Sequence, residues 1–148
     1  MDAFIAALSD SNAEVREAAV EALSDVQDKR AVRPLIKLLS DPSADVRHQT
    51  AHALGNLEDP AAAEPLAAAL RDSDADVRSA AAQSLSQLGL TTAPAALIEA
   101  TKDKNPDVRQ NAIQALGQIR DPKSVPTLRV ALNDSNADVR DARDRSPE

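Results

Sequence analysis

The chain contains no cysteine, no tryptophan and no tyrosine, and its one phenylalanine is Phe4. Without cysteine there is no disulfide framework and no thiolate metal site, and the redox compartment stays undetermined. Glycine is nearly as scarce, with three in 148 residues. With so few β-favouring aromatics, and with alanine and leucine supplying most of the apolar content, the composition predicts helices packed through small side chains and no strands. Positive charge is also short: 17 Lys and Arg against 24 Asp and Glu leave a net charge of -7 and a pI near 4.8. Phosphate-backbone binding, which needs clustered cations, is therefore not expected, and a basic partner surface suits the chain better. No apolar run approaches a membrane span. The opening "MDAFIAALSD" has no basic segment and too short an apolar run for a signal peptide, so the expected address is the cytoplasm.

What is present is a repeat. Val-Arg occurs at Val15-Arg16, Val46-Arg47, Val77-Arg78, Val108-Arg109 and Val139-Arg140, each 31 residues after the last. The same interval separates Asp10, Asp41, Asp72, Asp103 and Asp134, then Leu23, Leu54, Leu85 and Leu116, and again Leu35, Leu66, Leu97 and Leu128. The units run at about 1–27, 28–58, 59–89, 90–120 and 121–145, with a tail at 144–148 expected to be disordered.

Helix starts are legible inside each unit. Asn12, Ser43, Asp74, Asn105 and Asn136 are side chains that accept from free first-turn N–H groups, and an acidic residue stands two positions after each of them. Counted from the valine, apolar or small residues fall at offsets 0, 4, 7, 8 and 11, for instance Val15, Ala19, Ala22, Leu23 and Val26, a single core stripe on an α-helix. A second, shorter helix follows, at 31–40, 62–71, 93–102 and 124–133. Its prolines, Pro34, Pro65, Pro94 and Pro126, either open it or bend its first turns. A helix pair of this size cannot bury its own stripe, so the units must stack, giving an all-α solenoid of about five helical pairs in one right-handed file.

The unit D-x-x-x-x-V-R-x-x-A-x-x-A-L-G followed by A-V-x-P-L-x-x-L-L resembles the short HEAT repeat of the phycobilisome-lyase type, over residues 2 to about 143. The resemblance implies that the Asp and Arg registers (Asp10, Arg16, Asp41, Arg47, Asp72, Arg78, Asp103, Arg109, Asp134, Arg140) form a structural ladder along the stack. It also implies that the Val-Arg helix lines the concave side, where partners dock. Two departures stand out. Leu90 replaces the aspartate found at Asp28, Asp59 and Asp121, which predicts a different turn, and the last unit ends "DVRDARDRSPE", with Pro147 where a core leucine belongs. The short first helix and this polar last one carry the expectation of truncation or a makeshift cap, and of exposed ends able to self-associate end to end.

The only histidines, His48 and His52, have the spacing of the zinc-peptidase motif H-E-x-x-H, but Gln49 replaces the glutamate base and no third ligand is evident. Nor do they match deoxyhypusine hydroxylase, a HEAT-repeat iron enzyme with consecutive His-Glu pairs. The corresponding positions here are Glu17-Ala18, His48-Gln49, Ser79-Ala80 and Gln110-Asn111. The pair is therefore read as exposed imidazoles on a repeat helix, with no catalytic residue, no metal and no cofactor expected.

Offsets 2, 3, 6 and 10 project opposite the core stripe. Along the stack they are Glu17, Ala18, Glu21 and Asp25, then His48, Gln49, His52 and Asn56, then Ser79, Ala80, Gln83 and Gln87, then Gln110, Asn111, Gln114 and Gln118. None is Lys or Arg in a chain that is 28% charged, and the middle is amide-rich. The expectation is non-enzymatic recognition of a protein or peptide at His48, Gln49, His52, Asn56, Ser79, Gln83, Gln87, Gln110, Asn111, Gln114 and Gln118, with no nucleic acid and no membrane. The rival readings are a bilin-handling subunit like the phycobilin lyases and an engineered or truncated scaffold without a natural partner.

Overall fold

A computed structural model describes residues 1–142. The expected tail at 144–148 and Pro147 lie outside the described residues. Within them the chain is helical, with no strand. Long helices α2 (Ala13–Val26), α4 (Ala44–Asn56), α6 (Ala75–Gln87) and α8 (Pro106–Ile119) alternate with short ones, α1 (Asp2–Ala7), α3 (Val32–Leu38), α5 (Ala63–Ala69), α7 (Ala95–Ala100) and α9 (Val125–Ala131). The last described helix is α10 (Ala137–Asp141).

Each even-numbered helix starts on a capped turn. Asn12 accepts from the Glu14 N–H at 2.8 Å and Asn105 from Asp107 at 2.8 Å; Ser43, Asp74 and Asn136 fill the same role. The core stripe includes Val46, Val77 and Val108, with Leu23, Leu54, Leu85 and Leu116, all fully buried. Each such leucine contributes about 1.5–3 kcal/mol. Offset 5 belongs to the core as well, since Val20, Ala51, Ala82 and Ile113 are all buried. Val15 and Val26, read from the sequence as core, are 39% and 54% exposed. In later units the same positions are buried, as at Val46, Leu57, Val77 and Leu88.

Three of the turns share a device. Asp28, Asp59 and Asp121 cap short 3-10 turns, η1 (Lys29–Ala31), η2 (Pro60–Ala62) and η3 (Pro122–Ser124), which lead into α3, α5 and α9. Just before each aspartate stands a residue of positive φ: Gln27 at 52°, Glu58 at 49° and Arg120 at 56°. Gly89, at 66°, holds this register position in the third unit, where Leu90 follows and no 3-10 turn forms. There the buried carboxylate of Asp121, from the following unit, accepts from the Ala93 N–H at 3.0 Å while capping its own turn through the Lys123 N–H. The prolines open the short helices. Pro34 and Pro65 are third residues, Pro126 is second and Pro94 immediately precedes α7, all places where no intrahelical N–H is needed.

The long helices pack closely on one another along the stack, whereas each short helix rests chiefly on the long helices. Small side chains permit the close approach. An added Cβ on the buried Gly55 of α4 would lie 2.7 Å from Ser84 Oγ, 2.8 Å from Ser84 Cβ, and in collision with Gln87 Oε1. Between the short helices run open grooves, about 390 Å3 between α5 and α7 and about 470 Å3 between α7 and α9. The long helices are thus tightly joined, while the short ones are separated by open grooves.

Candidate functional site: the long-helix face and its ladder

Along the edge of the stack, arginine and aspartate alternate in a repeated clasp. Arg16 donates Nε to Asp41 Oδ2 at 2.8 Å and Nη2 to Oδ1 at 2.9 Å, while its Nη1 donates to the Asp10 carbonyl at 2.8 Å. Arg47 binds Asp72, Arg78 binds Asp103 and Arg109 binds Asp134 in the same forked geometry at 2.8–3.1 Å. Each receiving carboxylate also accepts from the N-cap amide two residues on, as Asp41 does from Ser43 at 2.9 Å. Burial alone would raise the carboxyl of Asp41, Asp72 and Asp103. The guanidinium bonds, the N-cap amides and the arginine charges outweigh it and hold all three below the usual range. Asp134 is held low first by Arg109. At the two ends, among the described residues, the side-chain clasp stays open: the Asp10 carboxylate has no arginine ion pair, and Arg140 donates Nη1 to the Asp134 carbonyl at 2.7 Å without a carboxylate ion pair of its own.

The long-helix face follows from the same register. Glu21 and Asp25 on α2, Gln49 and Asn56 on α4, Gln83 and Gln87 on α6 and Gln118 on α8 are exposed, whereas Glu17, Ser79, Gln110, Asn111 and Gln114 are half-buried. Ala80 is buried against the neighbouring helices and leaves the face. Two amides tie adjacent units together: Asn56 Nδ2 donates to Ser24 Oγ at 3.2 Å, and Asn111 Nδ2 donates to Ser79 Oγ at 2.6 Å. Ser24 was no part of the sequence-derived face. It stands one residue before Asp25, at the offset that holds Gly55 in the next unit.

His48 and His52 depart from the sequence expectation of exposure. Both are half-buried, because each imidazole shields the other: their Nε2 atoms lie 3.3 Å apart and their ring centroids 4.7 Å, with planes at 85°. Burial, and then the neighbouring His48, lower the His52 pKa, so the ring is held neutral more strongly than a free histidine. A cleft of about 130 Å3 adjoins His52, with Glu21, Ser24 and Asp25 on one wall and Gln49 and Asn56 on the other.

No helix of the described residues is long and apolar enough to cross a membrane. No curated protein matches the sequence. Among solved structures, the chain is similar to the complex of CpcE and CpcF of phycocyanin lyase from Nostoc sp. PCC7120, at 29% identity and a TM-score of 0.85; the match covers 98% of this chain and 62% of that one. It also shares its fold with a computationally designed armadillo repeat protein for modular peptide recognition, at 19% identity and a TM-score of 0.67, covering 95% of this chain and 78% of that one. A designed armadillo repeat protein in complex with the peptide (KR)4 is similar at 18% identity and a TM-score of 0.69, covering 95% and 77%. The HEAT-repeat family matches at residues 1–86 and 64–143, and with the ladder and the stacked pairs described above this makes the chain a member of the HEAT-repeat family, of the short phycobilisome-lyase-like type.

Proposed function

We propose that the chain is a non-enzymatic recognition module that binds an extended segment of another protein along its long-helix face. The observation that carries this is the row of amides, Gln49, Asn56, Gln83, Gln87, Gln110, Asn111, Gln114 and Gln118, uninterrupted by Lys or Arg. A primary amide both donates and accepts, so a row of them can pair with the free N–H and C=O groups of an extended chain whatever its side chains. Neighbouring helices about 8–10 Å apart match about three residues of such a chain per unit. Glu17, Glu21 and Asp25 add an acidic end that favours a basic segment. The two designed armadillo neighbours, one made for peptide recognition and one seen with (KR)4, support the use of this fold for that purpose. With no Tyr, Trp or Arg on the face, the interaction is polar and wet, of moderate affinity.

The test is selection from a displayed library of unstructured peptides, followed by alanine replacement of Gln83, Gln87, Gln110 and Gln114. Selected peptides that lose affinity with those variants, while helicity and melting are retained, support the reading. Peptides that bind all variants equally place recognition elsewhere.

A second reading is favoured by the open clasps. Among the described residues Arg140 at one end and Asp10 at the other lack a side-chain clasp and are the two halves of one further rung, flanked by Val125, Val130 and Leu132 and by Phe4, Val15 and Val26, all at least 39% exposed. Copies stacked head to tail would close that rung. Sedimentation at rising concentration tests it: Arg140→Asp should abolish association and the added Asp10→Arg should restore it. A bilin-handling role like that of the lyases finds less support, because the face offers no aromatic or cationic side chain to a planar anionic chromophore; an absorption shift on mixing would revive it.

A further inference from the structure

The row of amides that carries the recognition reading does not need the histidine pair, and the geometry of that pair is specific. Two nitrogen ligands about 2.0–2.1 Å from a zinc-class ion, at the tetrahedral angle, stand about 3.3–3.4 Å apart. The Nε2 atoms of His48 and His52 are 3.3 Å apart. The centroids, at 4.7 Å, are farther apart than the nitrogens, so the rings turn those nitrogens toward each other. Both residues lie one turn apart on α4, a regular helix whose backbone fixes their separation. From the resulting arrangement we infer that His48 and His52 form a two-imidazole site for a zinc-class divalent cation.

The surroundings favour a cation. Glu21 and Asp25 face His52 across the small cleft, the long-helix face carries no Lys or Arg, and the chain has a net charge of -7. Among the described residues no third His, Cys, Asp or Glu joins the pair. The remaining coordination positions are therefore left to water or to an incoming donor, and binding is weaker than at a closed four-ligand structural site. The inference needs only the chain itself and stands or falls separately from recognition along the face.

The experiment is a titration of the full chain with zinc alone at pH 7.5, followed by calorimetry and by the imidazole proton resonances. One equivalent should bind, shifting the signals of both rings together. His48→Gln and His52→Gln are the informative variants, because Gln110 and Gln114 occupy the same two register positions in α8 and show that glutamine is tolerated there. Each should weaken zinc binding about tenfold or more while melting in the absence of metal stays unchanged. Absence of binding under excess zinc, or binding in both variants as tight as in the unsubstituted chain, would overturn the assignment and leave the pair as a simple imidazole–imidazole hydrogen bond.

Discussion

The guanidinium of Arg78 grips both carboxylate oxygens of Asp103, at 2.8 and 3.1 Å, while its third nitrogen holds the carbonyl of Asp72 at 2.9 Å. One side chain thus joins the starts of two successive long helices. Arg78 is only 6% exposed, so this clasp differs from a surface ion pair. Arg78→Ala strands a largely buried carboxylate and should cost about 3–5 kcal/mol in urea unfolding. Arg140→Ala, at the same register position but without a carboxylate partner among the described residues, should change stability by less than about 0.5 kcal/mol.

Acid should loosen the ladder from a definable point. Asp41, Asp72, Asp103 and Asp134 are held below their ordinary values in the folded chain. Their contribution is therefore fully present above the unfolded value near about 3.9 and is lost as pH falls through the lower folded values. The melting temperature should be flat in this respect between about pH 5 and 7 and drop below about pH 4. Asp72→Asn should start lower and fall less.

Glu58 adopts φ 49°, a left-handed conformation that costs an L side chain about 1 kcal/mol and that Gly89 adopts freely at the matching position. Glu58→Gly should raise stability by about 0.5–1 kcal/mol. Gly89→Ala should lower it by a similar amount, even though no atom crowds an added methyl. Thermal melts of the two variants check both signs.

Gly55→Ala should behave in the opposite way to an ordinary helix glycine. Alanine normally stabilises a helix, but here the methyl would meet the Ser84 side chain at 2.7–2.8 Å, and Ser84 Cβ cannot swing aside. A loss of about 1–3 kcal/mol is expected. Ser84→Gly in the same chain should recover part of it, a coupling that a double-mutant cycle measures.

Removing the Asp121 carboxylate leaves the Ala93 N–H without its acceptor and uncaps η3. Asp121→Ala should cost about 1–3 kcal/mol. Hydrogen exchange at Ala93 should quicken far more than at Leu85, which lies in the core of α6.

The architecture was legible because its cause is periodic. A 31-residue interval, cap residues in register and an apolar stripe on each long helix leave a stacked helical file as the economical way to bury Leu23, Leu54, Leu85 and Leu116. The unusual turn after Leu88 was also legible, since Leu90 breaks the aspartate register. What escaped was set by contacts between units. Offset 5 is core because the neighbouring long helix covers it, which a helical wheel of one helix cannot show. The left-handed residues went unread because three of the four are not glycine. The histidines were read as exposed because i and i+4 spacing says that two rings are neighbours, not that each will cover the other. Ser24 reaches the long-helix face only through the bond from Asn56.

Because each arginine clasps a single carboxylate 25 residues downstream, a force applied across the ends would load the four clasps in series. Such a chain should stretch as a soft spring and part joint by joint, its extension rising in steps, where a domain with one shared interior would snap in a single event.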